Sequence, residues 1–287
     1  MNSSNGSLPS NGQALDRLWF VGCGNMAGAM IEGWRLAGVD FAGAVAIRPS
    51  GRGVEGVRTV TSIDEAGPNP AVVVLGIKPQ KLDEVAPALA PRLNPDTVVI
   101  SILAGVEIAS LRARFPGAGA IVRAIPNLPV AVRRGVVALA SEPLSDAMRE
   151  QVSQLFRPLG FSIWAASEAE LAAIGSVAGA GPAYVARFIK ALTNAGIARG
   201  LDPEMAETVA LETVFGTAWL AASTRETMDD LARRVASPNG TTEAGLAVLD
   251  RDEVLDQLIA VTIEAAARRG EELAAEARSL AEKADLP

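Results

Sequence analysis

A glycine-rich turn near the N-terminus has the spacing of a phosphate-binding loop. It has the pattern G-x-G-x-x-A and consists of Gly22, Cys23, Gly24, Asn25, Met26 and Ala27. In such a turn the first glycine permits a tight bend, the second lets the backbone approach a pyrophosphate, and the small third residue allows close packing. Because an apolar run precedes it and a helical pattern follows, it predicts a dinucleotide site, favoured over an ordinary strand-to-helix turn.

Two arginines lie where such a fold selects between dinucleotides. Arg48 and Arg52, with Ser50 between them, follow the apolar run Ala44–Ile47, where an NAD-binding fold usually has an acidic residue for the ribose hydroxyls. Guanidinium groups suit a 2′-phosphate instead. The residues therefore predict NADPH, with NADH as the alternative. Solvated loop arginines are the other interpretation.

A third segment follows the buried-type run Ala71–Leu75 and consists of Gly76, Ile77, Lys78 and Pro79. The loop at the carboxyl end of a parallel strand lines the ligand crevice, so we expect these four residues to contact the cofactor. Lys78 is then placed to reach a phosphate or a ribose. A proline-stopped strand with a solvent-facing lysine remains the alternative.

A loop in the second half has the composition of a small-anion site. Its polar members are Ser237, Asn239, Gly240, Thr241 and Thr242, and a helical pattern follows them. Backbone amides and hydroxyls at such a position can converge on a carboxylate. The alternative is a capped helix start with Thr241 or Thr242 as the cap, and the residues alone do not decide.

The elements that must position these loops differ between the two halves. In the first half, short β-branched runs alternate with helical patterns, which predicts βαβ units around a mainly parallel sheet. The predicted strands are Arg17–Val21, Ala44–Ile47, Ala71–Leu75, Thr97–Ser101 and Ala120–Ala124, with Gly135–Ala140 and Phe161–Trp164 as extensions at one edge. From Ser167 onward only helix-period apolar positions recur.

These patterns predict an α/β fold with two domains. We expect a disordered tail over residues 1–13, a Rossmann-type dinucleotide-binding domain over 14–166, and an all-α C-terminal dimerisation domain over 167–287. The helical half has so much apolar surface that we expect a homodimer or a higher homo-oligomer. Its longest uncharged stretch, Leu171–Ala186, is interpreted as a buried helix because it is too short for a membrane span.

The composition of the chain disfavours several kinds of partner and of catalytic group. The chain has 287 residues, and 26 basic against 33 acidic residues give a net charge of -7, which disfavours nucleic acid as a partner. The single Cys23 and the absence of histidine argue against a metal site and against imidazole catalysis. The N-terminal residues do not have the pattern of a signal peptide, so we expect a cytoplasmic protein with no membrane partner.

Five blocks carry a resemblance to a known family, and they are Val21–Ala27, Gly76–Gln80, Pro126–Asn127, Ala180–Tyr184 and Ser237–Thr242. The blocks are spread over nearly the whole chain, and in them the chain resembles the 1-pyrroline-5-carboxylate reductase family. The resemblance implies an oxidoreductase that transfers hydride from NAD(P)H to a cyclic imine carboxylate and gives L-proline, the last step of proline biosynthesis. It also implies that the loop Ser237–Thr242 holds the substrate carboxylate, with Thr242 as the catalytic residue at the substrate nitrogen or carboxylate.

The chain departs from the family pattern at four positions. Asn239 replaces a glycine, Leu128 replaces the usual threonine, and Ala178 and Ala180 stand where serines are common. Asparagine adopts the left-handed backbone conformation more readily than most residues, so we expect the loop around Asn239 to keep its shape. The hydroxyl groups that are missing at Leu128, Ala178 and Ala180 bear on which cyclic imine is the substrate.

Two other functions are compatible with parts of the sequence. Lys190 and Asn194 lie one helical turn apart and resemble the catalytic pair of β-hydroxyacid dehydrogenases, with the lysine as acid/base group. The alternative for this pair is a surface lysine beside a polar residue. A non-catalytic dinucleotide sensor is the third hypothesis, and it rests on the missing hydroxyls.

Overall fold

The computed structural model describes residues 17–284, with side chains described through residue 276. These residues form two compact units, one made of residues 17–180 and 266–284 and the other of residues 181–265. The fold class predicted from the sequence is confirmed, because a mostly parallel sheet with flanking helices is followed by helices alone. The tail at residues 1–13, expected to be disordered, lies outside the described residues.

The first unit is built around one eight-stranded sheet. The strands are β1 (Leu18–Val21), β2 (Val45–Ile47), β3 (Arg58–Val60), β4 (Val72–Leu75), β5 (Val98–Ser101), β6 (Ala120–Pro126), β7 (Gly135–Ser141) and β8 (Gly160–Trp164). Their order in the sheet is β3-β2-β1-β4-β5-β6-β7-β8, and of these neighbours only β6 and β7 pair antiparallel. The seven predicted strands are confirmed, and β3 was not predicted.

The strand order reverses between β1 and β4, and this reversal fixes where a ligand can bind. From β1 the chain continues outward through β2 and β3, and it then returns to the other side of β1 to form β4. The connections therefore diverge at the carboxyl ends of β1 and β4, which is the crevice that open α/β sheets use for ligands.

Helices cover both faces of the sheet, and they are α1 (Asn25–Leu36), α2 (Leu82–Leu89), α3 (Ile108–Arg114), α4 (Asp146–Phe156) and α5 (Glu168–Ala178). Successive strand residues point to opposite faces, so Leu18 belongs to one hydrophobic core and Trp19 to the other. The fully buried Trp34 anchors α1, with its ring centroid 6.1 Å from that of Phe20 and 6.3 Å from that of Phe156. This packing fixes α1 against the sheet.

The second unit is helical, and its elements are α6 (Gly181–Ala198), α7 (Pro203–Thr224), α8 (Met228–Val235), α9 (Thr241–Leu249) and α10 (Val254–Ala284), the last of which continues into the first unit. The side chain of Asp202 caps α7 by accepting the backbone N–H of Glu204 at 3.0 Å. Helices α6 and α7 approach closely at Gly196, where an added Cβ would lie 3.3 Å from the Cβ of Ala206.

Much of the apolar surface of this helical region is exposed in the single chain. The stretch Leu171–Ala186, interpreted from the sequence as a buried helix, is divided between α5 and α6, and only Leu171 in it is buried, so the expected burial does not occur within the single chain. Among the described residues, the stretch Glu168–Ala198 is long and apolar enough to cross a membrane by length and composition alone. On α6 and α7, Phe188 is 48% exposed and Phe215 is 62% exposed.

Candidate functional site

The turn between β1 and α1 requires glycine at its first position. Gly22 has a φ of +79°, and a Cβ at this residue would lie 2.8 Å from the backbone nitrogen of Ile77 and 2.9 Å from the carbonyl carbon of Gly76. Gly76 in turn has the Cβ of Ala27 only 3.2 Å from its own Cβ position. The structure therefore brings the loops after β1 and β4, both predicted to contact the cofactor, into direct contact with each other.

The N-terminus of α1 is free to receive an anion. The helix begins at Asn25, its N-cap Gly24 gives no side-chain cap, and its first turn has no acidic residue. A Cβ on Gly24 would meet no heavy atom within 4 Å, so the space beside this residue is open. The first N–H groups of a helix have no intrahelical partner and attract negative charge, which suits a phosphate.

Arg48 lies directly after β2, at the same edge of the sheet. Its backbone N–H donates to the carbonyl of Val60 at 2.8 Å, and its Nη1 donates to the carbonyl of Arg52 at 2.8 Å. Burial raises the pKa of the Cys23 thiol, and the charge of Arg48 partly opposes this shift. The thiol is therefore neutral near pH 7, and positive charge faces the β1–α1 turn.

The loop after β4 contributes an exposed lysine. Lys78 is exposed and precedes a short 3₁₀ helix over Pro79–Lys81. Within the part of the chain that the structure describes, Lys78 forms no ion pair with an acidic side chain, whereas Lys81 pairs with Glu84. Its ammonium group is thus available for a ligand at the crevice.

In the second unit, the loop that precedes α9 has a tightly specified backbone. Asn239 has a φ of +57°, which is the left-handed conformation expected where the family has glycine. The backbone N–H of Gly240 donates to the carbonyl of Ser237 at 2.9 Å. A Cβ on Gly240 would lie 2.4 Å from Ser237 Oγ and 2.8 Å from Ser237 O, so only glycine fits there without a shift.

The alternative interpretation of this loop, in which Thr241 or Thr242 caps the helix, is wrong. Helix α9 begins at Thr241, its N-cap is Gly240, and no side chain caps it. Thr241 and Thr242 are therefore the first two residues of the helix. Among the described residues, the hydroxyls of both threonines are left without a hydrogen-bond partner, and Thr242 is half-buried while Thr241 is exposed. The alternative to an anion-binding loop, a helix start capped by a threonine, is therefore excluded.

Asn127 is a buried polar residue to which the sequence assigned no role. It lies just after β6, its side-chain oxygen accepts the backbone N–H of Val136 at 2.8 Å, and its Nδ2 donates to the carbonyl of Ala178 at 3.0 Å. The amide thus ties the β6–β7 turn to the last residue of α5. Since Ala178 lies 51 positions away in the chain, no local spacing pattern could have found this contact.

The same contact brings two of the family departures into one region. Ala178 accepts the hydrogen bond from Asn127, and Leu128 follows Asn127 directly with 57% of its surface exposed. The residues of the alternative dehydrogenase hypothesis, Lys190 and Asn194, are both exposed on α6. Neither side chain forms a hydrogen bond or an ion pair within the described residues, so the structure provides no orienting partner for an acid/base lysine.

Comparison with known proteins matches the two parts of the chain to two different family models. A family model described as pyrroline-5-carboxylate reductase dimerisation matches residues 168–273, and one described as NADP oxidoreductase, coenzyme F420-dependent, matches residues 17–105. The pyrroline-5-carboxylate reductase of Pseudomonas aeruginosa is 38% identical over 268 residues, which cover 90% of this chain and 97% of that protein.

Solved structures extend the likeness to three dimensions. A pyrroline-5-carboxylate reductase from Coxiella burnetii is 31% identical with a TM-score of 0.81, over 90% of this chain and 98% of that one. A pyrroline carboxylate reductase from Plasmodium falciparum, solved with NADP bound, shares the fold at 24% identity, with a TM-score of 0.82 over 92% of this chain and 100% of that one. Sequence identity that spans almost the full length of its relatives places the chain in the pyrroline-5-carboxylate reductase family.

Proposed function

We propose that this protein reduces 1-pyrroline-5-carboxylate to L-proline, the last step of proline biosynthesis, with NADPH as the hydride donor. The observation that carries the proposal is the 38% identity across 97% of the Pseudomonas aeruginosa pyrroline-5-carboxylate reductase. The geometry of two loops supports it, because each presents free donors at the start of a helix, one for a phosphate and one for a carboxylate.

The residues of the first unit fit a phosphorylated dinucleotide. Open space beside Gly24 and an uncapped α1 N-terminus suit the pyrophosphate, and Arg48 with Arg52 suits the 2′-phosphate of NADPH rather than NADH. The cofactor-contacting residues in this proposal are Gly22, Cys23, Gly24, Asn25, Met26, Ala27, Arg48, Arg52, Gly76, Ile77, Lys78 and Pro79. When bound, NADPH supplies the hydride.

The loop before α9 is proposed to hold the substrate. Its backbone amides and the hydroxyls of Thr241 and Thr242 are donors for the carboxylate, and Thr242 is the residue assigned to the reacting end of the imine. The proposed substrate contacts are Ser237, Asn239, Gly240, Thr241 and Thr242. The free threonine hydroxyls and the uncapped helix start support this assignment.

The reaction does not need a strong acid or base from the protein. Protonation of the ring nitrogen by solvent makes the imine carbon electrophilic, hydride adds to that carbon, and the electron pair of the C=N bond moves to nitrogen. The protein's part is to fix the carboxylate and so orient the ring, which makes catalysis mainly positioning. A chain without histidine can carry out this chemistry.

We also propose that the helical region forms a homodimer or a higher homo-oligomer. Apolar side chains on α6, α7 and α10 are exposed in the single chain, and the matching family model over residues 168–273 is described as a dimerisation region. That match includes the whole apolar stretch Glu168–Ala198, which supports burial against protein rather than lipid. Light scattering should show at least a dimer, and an active monomer would contradict the proposal.

The domain assignment and the location in the cell remain proposals of the same kind. We assign residues 14–166 to cofactor binding and residues 167–287 to dimerisation and substrate binding. The family match that begins at residue 168 supports this boundary, and strand β8 is the last strand before it, whereas the compact units of the chain divide at residue 180 and include residues 266–284 in the first unit. We propose a cytoplasmic location, to be tested by fractionation of cells that express the protein.

The decisive test is oxidation of NADPH by the purified protein with a panel of cyclic imine carboxylates. Turnover with 1-pyrroline-5-carboxylate, with L-proline as the product, is the expected result. Oxidation of β-hydroxyacids with NAD⁺ in its place would establish the dehydrogenase alternative. Tight NADPH binding without turnover of any imine would establish a sensor, and either result would overturn the proposal.

A further inference from the structure

Glu243 is the acidic residue in the first turn of α9, beside the loop assigned to the substrate carboxylate. Its Oε2 accepts a hydrogen bond from the backbone N–H of Asn239, with 2.5 Å between nitrogen and oxygen. A negative charge so close to an anion site opposes the binding of a second carboxylate unless it is directed elsewhere. This hydrogen bond turns the Glu243 carboxylate back toward the residue that precedes the N-cap.

Asn239 is the residue of the loop that most needs a fixed partner. Its φ of +57° lies in the left-handed region, which carries a conformational cost for residues other than glycine. Besides the bond that Glu243 accepts from the N–H of Asn239, the described hydrogen bonds of the turn include one backbone bond, which the N–H of Gly240 donates to the carbonyl of Ser237 at 2.9 Å. The side chain of Glu243 therefore accepts the second hydrogen bond that fixes the shape of the turn.

The position of the Glu243 carboxylate also determines which donors stay free. Within the described residues, the backbone N–H groups of Thr241 and Thr242 have no hydrogen-bond acceptor, and neither do their hydroxyls. An acidic side chain at the third helical position commonly reaches back to the backbone N–H of the N-cap residue, which here is Gly240. Glu243 instead accepts the N–H of Asn239, one residue earlier, so its carboxylate occupies none of the donors of Thr241 and Thr242.

We infer that Glu243 is a positioning residue for the substrate carboxylate. Its side chain holds Asn239 in the left-handed conformation and leaves the amides and hydroxyls of Thr241 and Thr242 to the substrate. The inference rests on the proposed function and assigns Glu243 no contact with substrate or cofactor. Loss of this residue therefore raises KM for the imine, whereas kcat and NADPH affinity stay as they are.

The experiment compares Glu243→Ala with Glu243→Gln, whose amide oxygen can accept the same N–H. Glu204→Ala is the matched control, because Glu204 is also exposed in the first turn of a helix of the same unit and its side chain forms no described hydrogen bond. Steady-state kinetics with 1-pyrroline-5-carboxylate, NADPH binding and melting temperature are measured on each variant.

We expect Glu243→Ala to raise KM about tenfold, the scale of one lost hydrogen bond to a charged group. We expect Glu243→Gln to keep KM within about threefold of wild type, because a neutral acceptor forms a weaker bond than a charged one. NADPH affinity should be unchanged in both, and Glu204→Ala should match wild type throughout.

Two results would overturn the inference. If Glu243→Ala lowers the melting temperature but leaves KM unchanged, Glu243 only stabilises the helix start, and if Glu243→Gln is as impaired as Glu243→Ala, the accepted hydrogen bond is not what matters. Should Glu243→Ala fail to fold, Glu243→Asp replaces it, since the shorter acid keeps the charge but loses the reach and should raise KM likewise. A wild-type protein that turns over no imine overturns the proposed function itself, which distinguishes the two failures.

Discussion

Gly24 is the residue at which a small side chain would test the proposed pyrophosphate site without disturbing the backbone. Its φ of -84° and ψ of -162° suit alanine as well as glycine, and a Cβ there would meet no heavy atom within 4 Å. The change Gly24→Ala therefore leaves the fold intact. It adds a methyl group beside the N-terminus of α1, in space that the proposal gives to the pyrophosphate.

The expected effects on folding and on binding differ in size. Alanine is a poorer N-cap than glycine, so the free energy of unfolding should fall by only about 0.5–1 kcal/mol. A displaced pyrophosphate loses charge-assisted hydrogen bonds of about 1.5–3 kcal/mol each. The loss of one such bond corresponds to a rise of about tenfold to a hundredfold in the Kd for NADPH.

Gly22→Ala is the informative contrast, because the structure predicts the opposite pattern. Gly22 has a φ of +79°, so alanine costs about 1–2 kcal/mol in backbone conformation alone. Its Cβ would also lie 2.8 Å from the backbone nitrogen of Ile77, so the loop after β4 must move. This variant should lose stability first, and its cofactor binding should fail as a consequence.

The assay is NADPH titration together with thermal unfolding of both variants, with Gly270→Ala as a control in an exposed turn of α10. The control should keep its Kd and gain about 0.5–1 kcal/mol of stability, as expected for alanine in a helix interior. A Gly24→Ala protein with a wild-type Kd for NADPH would refute the assignment of the pyrophosphate to this turn.

Three further changes test other parts of the site. Replacing both Arg48 and Arg52 with alanine should narrow the binding preference for NADPH over NADH by about 1–3 kcal/mol, and an unchanged ratio of the two Kd values would rule out 2′-phosphate recognition there. Thr242→Ala should lower kcat/KM by about 1.5–3 kcal/mol in transition-state stabilisation with little change in melting temperature, and wild-type kcat/KM would remove Thr242 from the site. Asn127→Ala should lower the free energy of unfolding by about 1–3 kcal/mol in chemical denaturation because it leaves buried polar groups unpaired, and a loss near zero would mean that water replaces the amide.

The strands of the first unit were predictable because most are buried on both faces. Val72–Leu75 is an uninterrupted apolar run, and all four of its residues are buried. β3 gave no such signal, since it has three residues, of which Arg58 is exposed and only Val60 is buried. It pairs on one side only, with β2, at the edge of the sheet. An edge strand of that length carries no pattern by which a sequence can be assigned.

The site was predictable in so far as it depends on local backbone requirements. Gly22 was identified because it lies in a tight turn, and Gly240 because it belongs to a polar loop before a helix, and the structure shows that a side chain would collide with backbone at both. The alternative in which Thr241 or Thr242 caps α9 could not be excluded from the sequence because Gly240 and the threonines are all compatible with a helix start. Asn127 was missed because its role depends on a distant carbonyl, while Glu243 lies only four positions from Asn239 and could have been found by spacing.

The helical unit shows what periodicity cannot determine. Apolar positions recur along α7 on all sides, and a helix of that kind is normally buried, yet only Ala206 and Ala210 of α7 are buried in the single chain. The pattern identifies a helix whose apolar surface must be buried. It does not determine whether that surface packs against the same chain or against another one. A second copy presents the same surface, so a two-fold contact would cover both at once. In the proposed homo-oligomer, the stability of this unit is therefore inseparable from protomer concentration.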